Sequence, residues 1–412
     1  MDRTIRLFDT DAYGTDFEAT VLDTVPAPEG LALVLDRTFF FPEEGGQSPD
    51  TGTLAEYPVT DVQIRDEIIT HTIRVPEQER EEAAARLSAG QRVRGCIDWE
   101  RRFSNMQNHT GEHILSGLMH RLYGFDNVGF HLSDNNVTLD VNGQLDRGQL
   151  DELEREANRV VWRNVPVTAQ YPAPEELAGL DYRSKKEIEG DVRIVTIEGV
   201  DCCACCAPHV SRTGEIGQIR IVRVQHEKSK MRLFIVCGAR ALFYAQHSLK
   251  EAEQISHLLN LPPEDIAAGT VKLKEEQQTQ YFKMIGLQAR YLTLRVREAL
   301  TEAGSAPDVF LFEEELDRDR QREAVNLLCE SLSGYGGIFA GTEEDGYFYI
   351  IGAGTAKASD AKNTAESTAE PGDARRVNAL LKERLSARGG GSAQMVQGSI
   401  RAPKEEILAA LN

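Results

Sequence analysis

The stretch NHTGEHIL, residues 108–115, sets His109 and His113 four positions apart, with Glu112 directly before the second histidine. Around it, Ile114, Leu118 and Leu122 recur at helical spacing, which predicts one helix over residues 98–123. Both imidazoles then lie one turn apart on the same side, where they can reach a common metal ion. As a pattern the stretch is also H-x-x-E-H, the inverted zinc-peptidase signature. Two ligands do not hold a metal, so the rest of the chain has to supply others.

Candidates stand in VDCCACCAPHV, residues 200–210, where Cys202, Cys203, Cys205 and Cys206 fall within five positions. A disulfide framework would spread its cysteines, and the start, MDRTIRLFDTD, lacks the apolar middle of a signal peptide. Thiolates beside imidazoles select zinc over calcium or magnesium. Two arrangements are open. Cys202/Cys205 or Cys203/Cys206 could each be half of a C-x-x-C knuckle, although no second C-x-x-C completes one. Alternatively, Cys205 and His209 join His109 and His113. Pro208 favours an extended Ala207, which places this segment on a loop after a strand.

The formal charge of the 412 residues is 46 − 66 = −20, which argues against a protein that coats nucleic acid non-specifically. Residues 181–240 reverse the balance locally, with 11 Lys/Arg against 8 Asp/Glu. No run of 18 apolar residues occurs, so a cytoplasmic protein without a membrane partner is expected.

Residues 1–95 alternate apolar and polar positions between turn signals, which predicts a small β-barrel domain. Within it TFFFPEEGGQSPDTGTL carries Gly45, Gly46 and Gly52 at turn positions. Residues 96–240 mix helices with the strands NVTLDV, VRIVTI, QIRIVRV and MRLFIVCG. Residues 241–303 read as one or two long charged helices forming an arm, and 304–412 as a further α/β unit. The class expected is therefore α+β. TAKASDAKNTAESTAEPGD, within 355–373, reads as a polar mobile loop.

Taken together, HTGEHIL and the Cys-x-x-x-His segment about ninety residues later resemble the editing domain of alanyl-tRNA synthetase and the free-standing AlaX proteins. FFFPEEGGQSPDTG, VGFHLSDNNVTLDV, VRIVTIEGVD, SRTGEIGQIRI and MRLFIVCGARAL follow in the family's order, and RGGGSAQMVQGSI is similar to the glycine-rich close of its DHHA1 domain. The resemblance implies one zinc ion on His109, His113, Cys205 and His209. Ala207-Pro208 departs from the family's glycine-rich spacer. An editing domain at 96–240 and a DHHA1-like domain at 304–412 are implied, without a class II aminoacylation domain ahead of the barrel, so that the chain would edit tRNA but not charge it.

The implied reaction is hydrolysis of the ester joining a wrong amino acid to tRNA(Ala), with serine foremost and glycine second. Gln47, Thr110 and Glu112 are candidates for recognising the serine hydroxyl, Glu112 being otherwise a solvated helix carboxylate. Gly45, Gly46 and His131 are candidates for lining the pocket. Arg101, Arg102, Lys185, Lys186, Arg193, Lys228, Lys230 and Arg232 are candidate phosphate contacts. Gly389, Gly390 and Gly391 could let backbone amides approach phosphate. The resemblance further implies that the C-terminal domain binds tRNA and that the helical arm mediates a homodimer.

Two rivals share the same residues. A zinc peptidase would use Glu112 as general base and take a third ligand from Glu187 or Glu189, leaving Cys205 and His209 idle. A non-catalytic tRNA-binding protein would use the four ligands as a closed structural site.

Overall fold

The computed structural model describes residues 3–184, 190–356 and 372–411 and divides into two compact units, Met1–Ile255 and Ser256–Asn412. Both helices and strands run through each, so the class is α+β.

In the first unit, among the described residues, six strands close into a barrel. Around the barrel they run Asp16–Ala27, Gly30–Leu35, Ile68–Arg74, Tyr57–Arg65, Gly52–Leu54 and Arg92–Ile97, the last pairing back onto the first. Alternation along Asp16–Ala27 sends Phe17, Ala19 and Val21 inward to join Leu33, Leu35, Phe40, Phe41 and Ile73 in one core.

The predicted helix spans Trp99–Tyr123. Asp98 caps its start by accepting from the Arg101 amide, and Gly124 ends it in the left-handed conformation (φ 66°). Ile114 and Leu118 are core residues as the spacing implies, but Leu122 is exposed. Every residue from 105 to 119 is buried, polar ones included, because the helix runs through the middle of the unit. One side of it packs on the four-stranded antiparallel sheet whose order is Ile219–His226, Met231–Cys237, Val137–Val141, Asn127–Leu132. Another meets the strand Asp201–Ala204, and the helix Arg147–Arg163 lies alongside. Gly117 makes the strand contact possible: a Cβ there would stand 2.5 Å from the Val200 carbonyl oxygen. Without that close approach Asp201 and the cysteine cluster would be held away from the histidines.

Barrel and helix are tied by one buried ion pair. Arg102 and Asp50 are both wholly buried. The Arg102 Nε donates to Asp50 Oδ2 at 3.0 Å, Nη1 to the Ala12 carbonyl at 3.1 Å, and Nη2 to Asp50 and to the Phe39 carbonyl. The Asp50 carboxylate also accepts from the Phe41 amide at 2.7 Å. Arg102, expected as a phosphate contact, is therefore an internal strut, because all its donors are spent inside the fold.

The helices Ala239–Leu259 and Ile266–Ala303 match the long helices expected there. In the second unit a five-stranded sheet is ordered Val309–Glu313, Tyr335–Thr342, Gly346–Ala353, Met395–Ile400, Arg388–Gly391. One sheet face packs on the helix Arg318–Ser331 through Val325, Leu328, Ile338 and Ile350; the other packs on Ala374–Leu385 through Phe339, Ile351, Val377 and Leu381. Among the described residues, no helix is long and apolar enough to cross a membrane.

A buried histidine in the barrel yields a pH prediction. His71 Nδ1 lies 3.2 Å from the Leu33 carbonyl and Nε2 lies 2.9 Å from the Thr38 hydroxyl, which suits a neutral ring. Burial pushes its pKa down from 6.5 to about 4. The unfolded chain then binds a proton that the folded chain refuses, so stability is full above pH 6.5 and falls as pH drops toward 4. Urea unfolding should show about 2 kcal/mol lost through this ring between pH 6.5 and 5. In His71→Gln that part of the slope should vanish.

Candidate metal centre

Four side chains named by the sequence converge. The ligating atoms of His109, His113, Cys205 and His209 all lie within 4.8 Å of one another. Cys205 Sγ stands 3.6 Å from His109 Nε2 and 3.3 Å from His209 Nε2. The three histidines are buried and Cys205 is partly exposed.

Each ring is held from behind by a different element. His109 Nδ1 donates to Gln47 Oε1 at 2.8 Å, and His113 Nδ1 to Asp201 Oδ2 at 2.9 Å. His209 Nδ1 lies 2.9 Å from the Thr110 hydroxyl, which also accepts from the Val210 amide at 3.3 Å. Assigning the ring proton to Nδ1 in each case leaves three Nε2 lone pairs facing the Cys205 sulfur. Asp201 is itself gripped by Arg183, whose Nε and Nη2 donate at 2.8 and 2.9 Å. Such outer contacts fix the tautomer and orientation of metal-binding histidines.

The electrostatics single out one cysteine. Burial opposes a charged sulfur at Cys205, but His109 and His209 outweigh it and hold its pKa well below the ordinary value. At Cys203 burial prevails and pushes the thiol up to about 11; Cys206 is raised too, by burial and then by Cys205 and Glu44. Burial also takes His209 down to about 3, which keeps its ring neutral. For His113 burial acts the same way, but Asp201 and Cys205 overcome it and raise the pKa well above 6.5. Of the open cysteine arrangements, Cys205 with His209 is the one this field favours.

The Glu44–Gln47 segment explains its paired glycines. Gly45 (φ 63°) and Gly46 (φ 87°) form a two-residue turn closed by the Gln47 amide donating to the Glu44 carbonyl at 3.0 Å. A Cβ on Gly46 would stand 2.3 Å from the Phe130 carbonyl oxygen. The turn therefore rests against the strand Asn127–Leu132 and delivers Gln47 to His109. Gln47 is buried, yet its Nε2 has no partner among the described residues. The same holds for Nδ2 of buried Asn105, one turn before His109.

Several expected roles change. The Thr110 hydroxyl accepts from the His209 ring and from the Val210 amide, so it positions His209 while its own O–H remains available to donate. Glu112 is not a solvated carboxylate: it is buried and accepts from Asn127 Nδ2 at 2.6 Å and from the Ser116 hydroxyl. His131 is exposed, since strand alternation turns it away from the face on which Phe130 packs 4.7 Å from the His109 ring. Arg193 is buried and binds the carbonyls of Cys205 and Ala207 at 3.0 and 2.8 Å, bracing the ligand loop. Arg101 reaches the Pro49 carbonyl at 3.1 Å and pairs with Asp134. Arg232 pairs with Asp140 at 2.6 Å, and Lys228 and Lys230 are exposed. Lys185, Lys186, Glu187 and Glu189 lie outside the described residues.

Gly389, Gly390 and Gly391 belong to the second unit and form an edge strand paired with Met395–Ile400. Tyr349 accounts for one of them, its hydroxyl lying 2.4 Å from where a Gly389 Cβ would be. Sequence reading missed Asp201, Arg183 and Asn105. Asp201 stands directly before the cysteine cluster, but nothing in its spacing marks it as the partner of His113.

Residues 13–101 match the family model of class II (A) tRNA synthetases, and residues 192–235 match the threonyl and alanyl tRNA synthetase second additional domain. The latter segment contains Cys205 and His209. The chain is 36% identical over 242 residues to the alanyl-tRNA editing protein AlaX-M of Methanosarcina acetivorans, covering 55% of this chain and 96% of that protein. The chain belongs to the alanyl-tRNA editing family. It is 32% identical over 254 residues to the editing protein AlaX-L of Pyrococcus horikoshii, covering 60% of this chain and 61% of that protein. Against the alanine–tRNA ligase of Methanoregula boonei the identity is 30% over 437 residues, covering 99% of this chain and 44% of the ligase. The chain thus spans less than two thirds of these two longer relatives of the family.

Metal loading tests the ligand set. Cys205→Ala should strip bound zinc, measured by atomic absorption on purified protein, while Cys202→Ala should retain it; equal losses would refute the assignment. Asp201→Asn should weaken zinc affinity about 10–100-fold in a chelator competition.

Proposed function

We propose that this editing-family chain hydrolyses the ester between a wrong amino acid and tRNA(Ala), serine foremost and glycine second, with zinc as its metal. The convergence of three oriented imidazoles and one low-pKa thiol carries this reading. Those donors are the ones zinc prefers, and every ring already has its second nitrogen engaged. Bound there by His109, His113, Cys205 and His209, zinc would order the pocket and, on accepting a substrate oxygen as an additional ligand, would polarise the carbonyl.

The rest falls to side chains. Gln47 Nε2 and Asn105 Nδ2 are buried donors without partners, a costly state that a substrate oxygen would relieve. A seryl ester offers its hydroxyl and carbonyl oxygens to such donors. An alanyl ester has no hydroxyl and would leave a donor unpaired, which is the physical basis for sparing the correct product. An aminoacyl ester is already activated relative to a peptide, so positioning and preorganised donors can suffice.

The commitments of Glu112 to Ser116 and Asn127 weigh against a peptidase, which needs that carboxylate as a mobile base. The four-ligand cluster favours a second reading, a tRNA-binding protein with a closed structural zinc. For the chain as a whole we further propose cytoplasmic action on tRNA(Ala), an editing domain at 96–240 and a DHHA1-like tRNA-binding domain at 304–412. Exposed Leu249, Leu258, Phe282 and Leu287 on the 241–303 helices support a homodimer through that arm.

Purified zinc-loaded protein incubated with Ser-tRNA(Ala), Ala-tRNA(Ala) and a generic peptide separates the readings. Ser-tRNA(Ala) should be deacylated well above the spontaneous rate, with Ala-tRNA(Ala) and peptide largely spared. Seryl ester surviving at the spontaneous rate would favour the structural-zinc reading. Gln47→Ala should lower kcat/KM for the seryl substrate about 10–100-fold, a range typical of losing one oriented donor.

A further inference from the structure

We infer that Glu44 is the receptor for the α-ammonium group of the aminoacyl substrate. The inference rests on the deacylase reading above and extends it to a residue that neither the metal nor the hydroxyl recognition uses.

The starting point is an unpaired acceptor. Oε2 of Glu44 is buried and has no hydrogen-bond partner among the described residues. A carboxylate oxygen removed from water without a partner is costly, and such groups in a well-packed fold mark a function. The rest of the side chain is partly exposed, so a ligand can reach it.

Its position places it at the mouth of the metal centre. Glu44 opens the two-glycine turn that ends at Gln47, and Gln47 holds His109. On the opposite bank, the Cys206 thiol lies against the Glu44 carboxylate, and a Cβ on Gly45 would stand 3.3 Å from the Cys206 sulfur. Cys206 follows Cys205, the one ligand with solvent exposure. Glu44 therefore stands beside the neighbour of the one partly exposed residue of the cluster.

The chemistry is complementary. Every aminoacyl ester carries an α-ammonium two bonds from the carbonyl under attack, whatever its side chain. A cation needs an acceptor, and the turn offers an orphan acceptor at Glu44 and an orphan donor at Gln47, three residues apart. One turn would thus grip the ammonium and an oxygen of the same small amino acid. An acetylated nitrogen keeps one N–H but loses the charge and the other donors, so an N-acetylated amino acid should be bound less tightly.

The test uses the full-length zinc protein and a non-hydrolysable probe, 3′-deoxy-3′-(L-serylamino)adenosine, with its N-acetyl derivative for comparison. Affinities come from isothermal titration calorimetry on wild type and Glu44→Gln, which keeps the side chain's shape. Wild type should bind the free amine about 10–100-fold more tightly than the acetylated probe, the range for a charge-assisted hydrogen bond. Glu44→Gln should lose that preference while keeping wild-type zinc content and thermal midpoint. The proposal is overturned if wild type shows no preference for the free amine, fails to bind it, or if Glu44→Gln keeps the preference intact. Amine-selective binding by wild type but not by Glu44→Gln, in a protein that leaves Ser-tRNA(Ala) intact, would uphold the Glu44 site and refute the deacylase reading separately.

Discussion

The buried pair of Arg102 and Asp50 is the contact on which the site's geometry depends. It joins the central helix to the barrel-side segment that carries the Glu44–Gln47 turn. Breaking a buried pair by removing one partner typically costs about 3–5 kcal/mol, because the survivor is left charged and unpaired. Here the consequence is also positional. Asp50 lies three residues after Gln47, and Arg102 lies seven before His109. The strut thus sets the register in which Gln47 meets His109, whose Nδ1 it holds at 2.8 Å.

From that fixed frame the cluster is assembled by three independent supports. Gln47 comes from the turn, Asp201 from the strand beside Gly117, and Thr110 from the ligand helix itself. No two rings share a support, so each histidine is aimed separately; the Gln47 and Asp201 oxygens favour Nδ1–H on His109 and His113, while the Thr110 hydroxyl suits either tautomer of His209. Arg193 then braces the loop between Cys205 and His209 through two carbonyls. The polar burial of the helix between residues 105 and 119 follows from the same logic. Its polar side chains are mostly satisfied by these supports, which lets a helix of modest apolar character run through a core.

Much of this was legible in the sequence. The i, i+4 histidines meet Cys205 and His209 because helical periodicity leaves little freedom in where they point. The paired glycines at 45 and 46 were legible as a turn for the same local reason. Roles that depend on distant partners were not legible. Arg102 reads like any surface arginine next to a helix start, and only the fold reveals Asp50 opposite it. Thr110 and Glu112 read as substrate-recognising from their place beside the histidines, and only the fold shows their further contacts, Thr110 with His209 and Val210 and Glu112 with Ser116 and Asn127. His131 was misplaced by one position: strand alternation gives the site to Phe130. For the glycines at 389–391, composition suggests amides open to phosphate but does not reveal the edge strand they form, nor that the Tyr349 hydroxyl leaves no room for a Cβ at Gly389.

The division of labour between metal and protein follows from what is left unpaired. With four protein ligands on the proposed zinc, the proposed discrimination between aminoacyl groups differing by one hydroxyl would fall to the protein and not to the metal alone. A hydrophobic pocket would not provide it either, since adding or removing one small group changes binding only modestly there. Strong rejection needs a polar group that suffers when its partner is missing. Gln47 Nε2, Asn105 Nδ2 and Glu44 Oε2 are such groups among the described residues; Gln47 holds the His109 ring and Asn105 stands one turn before it. The fold satisfies almost every other buried polar atom of this unit; the exceptions, Asp9 and Arg193, face each other at 3.6 Å as a long ion pair. Unpaired atoms are thus concentrated where a small polar ligand would complete them, and the free energy withheld there in folding is what such a ligand would recover on binding.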